Sequence, residues 1–248
     1  MTNIGSILFL DVETVSGKAT HAELDETFKG LWKLKARSVL RKYDEEVTDE
    51  EAADAYNERA GIFAEFGKII CISVGLVYRD KDNKKLAVRL KSFADDDESK
   101  VLKDFCELLN QHYNNPMKHN LCGHNIREFD IPYICRRLLI NQLPLPAMMD
   151  IAGKKPWETK HLIDTLEFWK FGDYKNYTSL KLLAAVFGFP SPKDDIDGSE
   201  VGRVYWEEKD LKRIATYCEK DVLATVQLYL RYNLMPLLEE ENILFVEG

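Results

Sequence analysis

Near the start of the chain, the four apolar residues Ile7–Leu10 run straight into Asp11, and Glu13 follows two positions later in "ILFLDVETV". An apolar run that is continuous rather than alternating is the pattern of a strand covered on both faces. Such a strand requires a sheet with helices packed against each side. With a side-chain period of two, Asp11 and Glu13 project from one face of it. A charge buried without partners is costly, and buried carboxylates are normally paired or metal-bound. Either the strand ends at Asp11 and both acids reach solvent, or they face something cationic.

The rest of the chain supplies the elements for that sheet. From about Lys18 to Phe66 the pattern is helical and highly charged, an insertion after the first strand, with Thr48 and Glu51 forming a capping box for its second helix. "KIICISVGLVY" and "KLAVRLKSF" read as strands joined in a hairpin by "RDKDNKK". Acidic "DDDE" opens an amphipathic helix through "KVLKDFCELLNQHY", and "HNLCGHN" is a short strand leading into a loop. A helix follows over "FDIPYICRRLLINQ", then a strand or turn at "HLIDTLEF", where Asp164 reads as a cap. A helix in "SLKLLAAVFG" stops at Gly188 and Pro190, and the last long helix covers roughly Glu207 to Tyr232. An early hairpin followed by alternating strands and helices predicts an α/β fold with a mixed sheet. The 248 residues, 45% hydrophobic, are enough for one large core, so residues 1–248 are expected to form a single domain.

Composition narrows the classes. Five scattered cysteines without a C-x-x-C argue against a disulfide framework or a structural zinc site and suit a reducing cytoplasm. No run reaches membrane-spanning length and no secretory leader pattern is present, so a cytoplasmic protein with no membrane partner is expected. The net charge of -8 disfavours a binder that relies on Lys and Arg to neutralise phosphates. It is compatible with an enzyme that holds divalent cations.

Two further acids are unusually placed. Asp130, in "CGHNIREFDIPYI", precedes Pro132 at a helix start, where capping is the ordinary explanation. His124 in the same stretch reads as a loop or core histidine. Asp221 lies on the helix face Ile214, Tyr217, Asp221, Ala224, Leu228, apolar but for the acid and the tyrosine one turn before it. The opposite face, Lys209, Arg213, Thr216, Lys220, Gln227 and Arg231, is expected to meet solvent.

Together "FLDVET", "GHNIREFDIPYI" and "YCEKD" resemble the three motifs of the DEDD 3′-5′ exonuclease superfamily. The Tyr-x3-Asp spacing marks its DEDDy branch. The wording is similar to the proofreading domain of family B DNA polymerases, and the chain resembles the predicted polymerase-B-like exonucleases that stand free of a polymerase. This resemblance implies a ribonuclease H-like, mixed five-stranded sheet flanked by helices. It implies two divalent ions, Mg2+ or Mn2+, held by Asp11, Glu13, Asp130 and Asp221, with Tyr217 orienting the attacking water. It also implies that Thr14, Asn125 and Phe129 touch the 3′ end of a single strand, DNA rather than RNA, although a turn-forming Asn and a core Phe explain the last two equally well. Thr178 and Ser179 read as helix caps. In "LWKLKARSVLRK", Lys33, Lys35, Arg37, Arg41 and Lys42 beside Trp32 are either a solvated helix face or a strand-gripping surface over the groove. An exoribonuclease and a catalytically inactive nucleic-acid-binding module are the competing readings. An aspartate-nucleophile phosphatase needs a second Asp where Glu13 stands. A polymerase or repair partner is left unspecified.

Overall fold

The computed structural model describes residues 3–81, 84–173, 177–190 and 195–246. Its sheet has six strands: β1 (Ile7–Ser16), β2 (Gly67–Arg79), β3 (Leu86–Ala94), β4 (Asn120–Gly123), β5 (Leu162–Asp164) and β6 (Ile243–Phe245). They lie in the order β5-β4-β1-β2-β3-β6. β1, β2 and β3 form an antiparallel meander, while β4 and β5 extend it in parallel from the far side of β1. The expected hairpin is present, with residues 82 and 83 of its turn outside the described residues. The expectation of five strands is corrected by β6, which adds to the edge strand β3 in parallel. Its three paired residues are too few to show a period of two in the sequence.

Helices cover both faces, as a strand with the pattern of β1 demands. On one side α3 (Glu98–His112) and α4 (Asp130–Ile140) pack over Leu8, Leu10, Val12, Ile72 and Val74. On the other, α8 (Leu211–Tyr232) packs over Ile7, Phe9, Val88 and Leu90. Burying a large aliphatic or aromatic side chain contributes roughly 1.5–3 kcal/mol, so these two layers dominate the favourable terms of folding. A charged group locks the first layer in place. Glu98 accepts from Arg137 Nε at 2.8 Å, from Asn141 Nδ2 at 2.9 Å and from the Ile69 backbone N–H at 2.7 Å, with a further Arg137 bond through Nη2. Arg137 also donates to the Ala64 carbonyl at 2.8 Å. That network joins α3, α4 and β2.

The insertion has a core of its own. It contains α1 (Glu26–Val39) and α2 (Asp49–Arg59), the latter opened by the Thr48–Glu51 capping box. Trp32 is fully buried against Ala52, Tyr56 and Phe66, and its Nε1 donates to the Ala52 carbonyl at 2.7 Å. The two ends of the insertion meet: the Gly17 N–H donates to the Phe66 carbonyl at 2.7 Å, and Ser16 pairs with Gly67. Gly67 is required there, because a Cβ would lie 2.2 Å from the Tyr133 hydroxyl oxygen and 2.8 Å from the Val15 carbonyl oxygen.

Two short helices, α5 (Thr165–Lys170) and α6 (Leu180–Phe187), follow β5, and Gly188 ends α6 at φ 69 in the left-handed region. A short turn α7 (Val201–Arg203) runs into a π-helical segment, Val204–Glu208. The last helix begins later than the sequence predicts. Lys209 breaks the chain at φ 57, and the Asp210 carboxylate caps α8 by accepting from the Arg213 N–H. Gln227, expected on the solvated face, is buried, its amide bonded to both the N–H and the C=O of Leu238.

Candidate active site

Along β1, Ile7 and Phe9 point under α8, and the period of two carries Asp11 and Glu13 onto the same side. A β-bulge interrupts the β1–β2 pairing between Glu13 and Thr14, where the partner changes from Cys71 to Ile69. The extra residue is therefore Ile70 on β2, and β1 keeps its alternation through both acids. α8 meets this point with Tyr217, Cys218 and Asp221, all buried. The Cys218 thiol donates to the Asp11 carbonyl at 3.4 Å and contacts its Oδ2 at 3.5 Å. Ligand atoms of Asp11, Glu13 and Cys218 lie within 4.8 Å of one another.

Asp130 enters from the other side of β1. It is 4% exposed and is the first residue of α4. Phe129 occupies the N-cap position, so Asp130 is the first helical residue rather than the cap, and its carboxylate accepts from its own N–H and that of Val12. Burial pushes its carboxyl up to about 7, against its own backbone N–H and that of Val12, while Asp164 and Asp221 raise it further. Asp11 is held well above the usual carboxylate range by burial first, then by Asp221, Asp130 and Glu13. Burial, with Glu13, Asp221 and Asp11 next to it, moves the Tyr217 phenol far above its ordinary range, and its hydroxyl is hydrogen-bonded to Asp221. The structure thus brings the four acids and the tyrosine of the three segments into one group, buried except for the half-buried Asp11.

A cleft of about 600 Å³ opens beside Glu13 and is lined by Thr14 and Phe129. Its walls come from the end of α2 and the turn after it (Asn57, Glu58, Gly61, Ile62) and from the 198–207 segment with Arg203 and Trp206. Trp206 Nε1 donates to Ser16 Oγ at 3.0 Å, anchoring that wall to β1. Asn125 is not among the lining residues. It sits at φ 65 in the turn before α4, its N–H bonded to Asp164. Nor does the basic run of the insertion reach the cleft. Trp32 is core, Lys33 and Lys42 pair with Asp49 and Glu51 across to α2, and Lys35 lies over the Phe63 ring. The insertion lines the cleft through α2, not through its basic helix.

Asp164 and Cys218 carry more of the site than the sequence revealed. Asp164 caps α5 as expected, and it also accepts from two loop amides. Cys218 lies three residues before Asp221, a spacing that places both on one helix face and was available in the sequence. His124 donates from Nε2 to the Thr178 carbonyl and contacts Thr165 Oγ1, a loop histidine as expected.

Residues 62–242 match the sequence profile of a family described as predicted 3′-5′ exonucleases related to the exonuclease domain of PolB. The matched stretch contains Asp130, Tyr217 and Asp221 and begins at the end of the insertion, so Asp11 and Glu13 precede it. Among solved structures, the fold is similar to the family B DNA polymerase from the hyperthermophilic archaeon Pyrobaculum calidifontis, at a TM-score of 0.53 and 14% identity. The similarity covers 92% of this chain and 24% of the polymerase, so the chain spans about a quarter of that enzyme. No curated protein matches the sequence. Among the described residues no helix is long and apolar enough to cross a membrane. The profile covers well over half of the chain, which therefore belongs to the family of predicted 3′-5′ exonucleases related to the exonuclease domain of PolB and is an enzyme of that class.

Proposed function

We propose that the chain is a metal-dependent exonuclease that removes nucleotides from the 3′ end of single-stranded nucleic acid, DNA rather than RNA. It would do so within one ribonuclease H-like domain spanning residues 1–248. The observation that carries this reading is the meeting of Asp11, Glu13, Asp130, Asp221 and Tyr217, drawn from three distant segments, in one largely buried group beside an open cleft.

The donor set fits divalent cations. Burial first, and then neighbouring carboxylates, raise both Asp11 (beside Asp221, Asp130 and Glu13) and Asp130 (beside Asp164 and Asp221), a cost that cations would remove. Hard carboxylate oxygens suit Mg2+ or Mn2+. Asp11, Glu13 and Asp221 would hold one ion, and Asp11 and Asp130 a second. When bound, such ions lower the pKa of water and offset charge on a phosphoryl group under attack. Tyr217 stays protonated and, bonded to Asp221, directs its hydroxyl as a positioning group for water rather than as a base. Phe129 and Ile62 offer apolar surface on which terminal bases can rest, and Thr14 offers polar contacts at the cleft floor.

The test uses a 5′-labelled single-stranded DNA with Mg2+ or Mn2+, and an RNA of the same sequence. Stepwise shortening from the 3′ end is expected, faster on DNA, and lost on chelation and in Asp11→Ala. A binding protein without turnover would leave both strands intact, and faster RNA shortening would reverse the substrate preference.

A further inference from the structure

We propose that Asp164 is the positioning residue of this site: one carboxylate that caps the turn leading into Asp130 and caps α5 as well, and so fixes where Asp130 stands relative to β1. The proposal rests on the reading of Asp130 as a metal-holding group.

Asp164 is 2% exposed and ends β5, opposite Gly123 at the end of β4. Its Oδ1 accepts from the Leu166 N–H at 2.9 Å, an ordinary cap on α5, and from the Asn125 N–H at 2.9 Å. Its Oδ2 accepts from the Arg127 N–H at 3.1 Å. The last two bonds satisfy the open N–H groups at the start of a second helical turn. The Asn125 carbonyl accepts from Glu128 and Phe129, and the Ile126 carbonyl accepts from Ile131, so this turn passes directly into α4 at Asp130. A helix start leaves its first N–H groups without internal partners, and a carboxylate placed there satisfies them and favours the local dipole. Here the carboxylate comes from another strand, so capping also sets the position of the turn.

Two features make this more than a local cap. Asn125 turns the chain at φ 65, a left-handed conformation that asparagine tolerates better than other side chains, and its N–H is one of those bound, so the Asp164 bond falls on the residue where the chain changes direction. Arg127 reinforces the same junction, donating to Thr159 Oγ1 at 3.1 Å, the Thr159 carbonyl at 2.8 Å and the Leu162 carbonyl at 2.6 Å. The turn is thus stapled to β5 from both directions, and Asp130 follows with little freedom left. The Asp164 charge also acts on Asp130, raising its proton affinity alongside burial.

Asp164→Ser separates the two roles. A serine hydroxyl can cap α5 but is too short to reach across to Asn125 and Arg127. Asp164→Asn keeps an acceptor for Asn125 and Leu166 and turns an NH2 toward the Arg127 N–H. Both variants are compared with wild type by amide hydrogen exchange, by Mn2+ titration followed by electron paramagnetic resonance, and by thermal melting. In wild type the Asn125 and Arg127 amides are expected to be strongly protected despite lying in a loop. Fast exchange there overturns the proposal without any variant, so a variant that fails to fold does not leave it untested. In Asp164→Ser both amides are expected to exchange faster, and in Asp164→Asn mainly that of Arg127. Mn2+ affinity is expected to weaken by about 10-fold or more in Asp164→Ser, in line with the loss of groups that orient metal ligands. A lowered melting temperature with unchanged exchange and unchanged Mn2+ affinity would reduce Asp164 to a cap and overturn the proposal. Exchange and Mn2+ affinity that move as expected in a protein with no nuclease activity would sustain it and sink the functional reading instead. Full activity in wild type with no change in either readout would do the reverse.

Discussion

Tyr217 stands one turn before Asp221 on α8 and is hydrogen-bonded through its hydroxyl to that carboxylate. Burial and three neighbouring acids keep the phenol protonated at any working pH, so its removal deletes a positioning hydroxyl and not a base. Tyr217→Phe is expected to lower kcat by about 10²-fold, the lower end of what a placed proton-handling group contributes. Asp221→Ala is expected to cost at least about 10³-fold, the equivalent of roughly 4 kcal/mol. Steady-state rates on single-stranded DNA check the order, and a Tyr217→Phe variant as dead as Asp221→Ala would contradict it.

Asp130 predicts a pH dependence. A carboxyl whose folded pKa is raised from about 4 to about 7 favours the folded state most below pH 4 and loses that contribution as pH rises through 7. In chelator, this group makes the protein less stable across pH 4–7, and Mn2+ affinity rises over the same window because the ion displaces its proton. Asp130→Asn should flatten both trends. Melting in chelator and Mn2+ titrations at several pH values measure them, and an affinity that stays constant from pH 5 to 7 would refute the assignment.

The bond network around Glu98, none of whose side chains lines the cleft, predicts a large stability effect. Arg137→Ala leaves Glu98 buried with its main partner gone, and removal of one member of a buried ion pair costs about 3–5 kcal/mol. Arg137→Lys keeps the charge but cannot bond both carboxylate oxygens as well as the Ala64 carbonyl, so it should recover only part of the loss. Denaturant unfolding reads both.

Within the insertion, cleft contact and basic charge are separated. Ile62 is half-exposed in the cleft wall, and Ile62→Glu is expected to weaken single-strand binding by about 10-fold, the scale of a lost base-contact surface. Lys33→Glu breaks only the exposed pair with Asp49 and should leave binding unchanged, with at most about 1 kcal/mol of stability lost. Fluorescence anisotropy on metal-free protein compares them. A stronger effect from Lys33 than from Ile62 would restore the basic helix as the gripping surface.

What could be read from the sequence follows how local each determinant is. The two-sided burial of β1, the Thr48 capping box and the hairpin each rest on a few adjacent residues, and the structure reproduces them. The pairing of Asp221 with Tyr217 was legible because one helix carries both. β6 was not legible, since three residues acquire strand character only from a neighbour 155 positions away in sequence. Trp32 misled for a related reason: a tryptophan among lysines looks exposed until α2 covers it. Gln227 was hidden by a partner, Leu238, that lies in a loop with no periodicity of its own.

Because Gly17 and Phe66 are hydrogen-bonded to each other, residues 18–66 leave and rejoin the sheet through a single doorway. In chain topology the segment is separable, but Gly61 and Ala64 near its end tie it to α4 by accepting from Tyr133 and Arg137. Replacing it with a turn of about four residues would shorten the closed loop and lower its closure entropy by roughly 2 kcal/mol, at the cost of those two bonds. One wall of the cleft would leave with it, while Asp11 and Glu13, upstream of the doorway, would keep their places. The chain is in that sense a core wearing a cuff, and the shape of that wall of the cleft is set by the cuff rather than by the sheet.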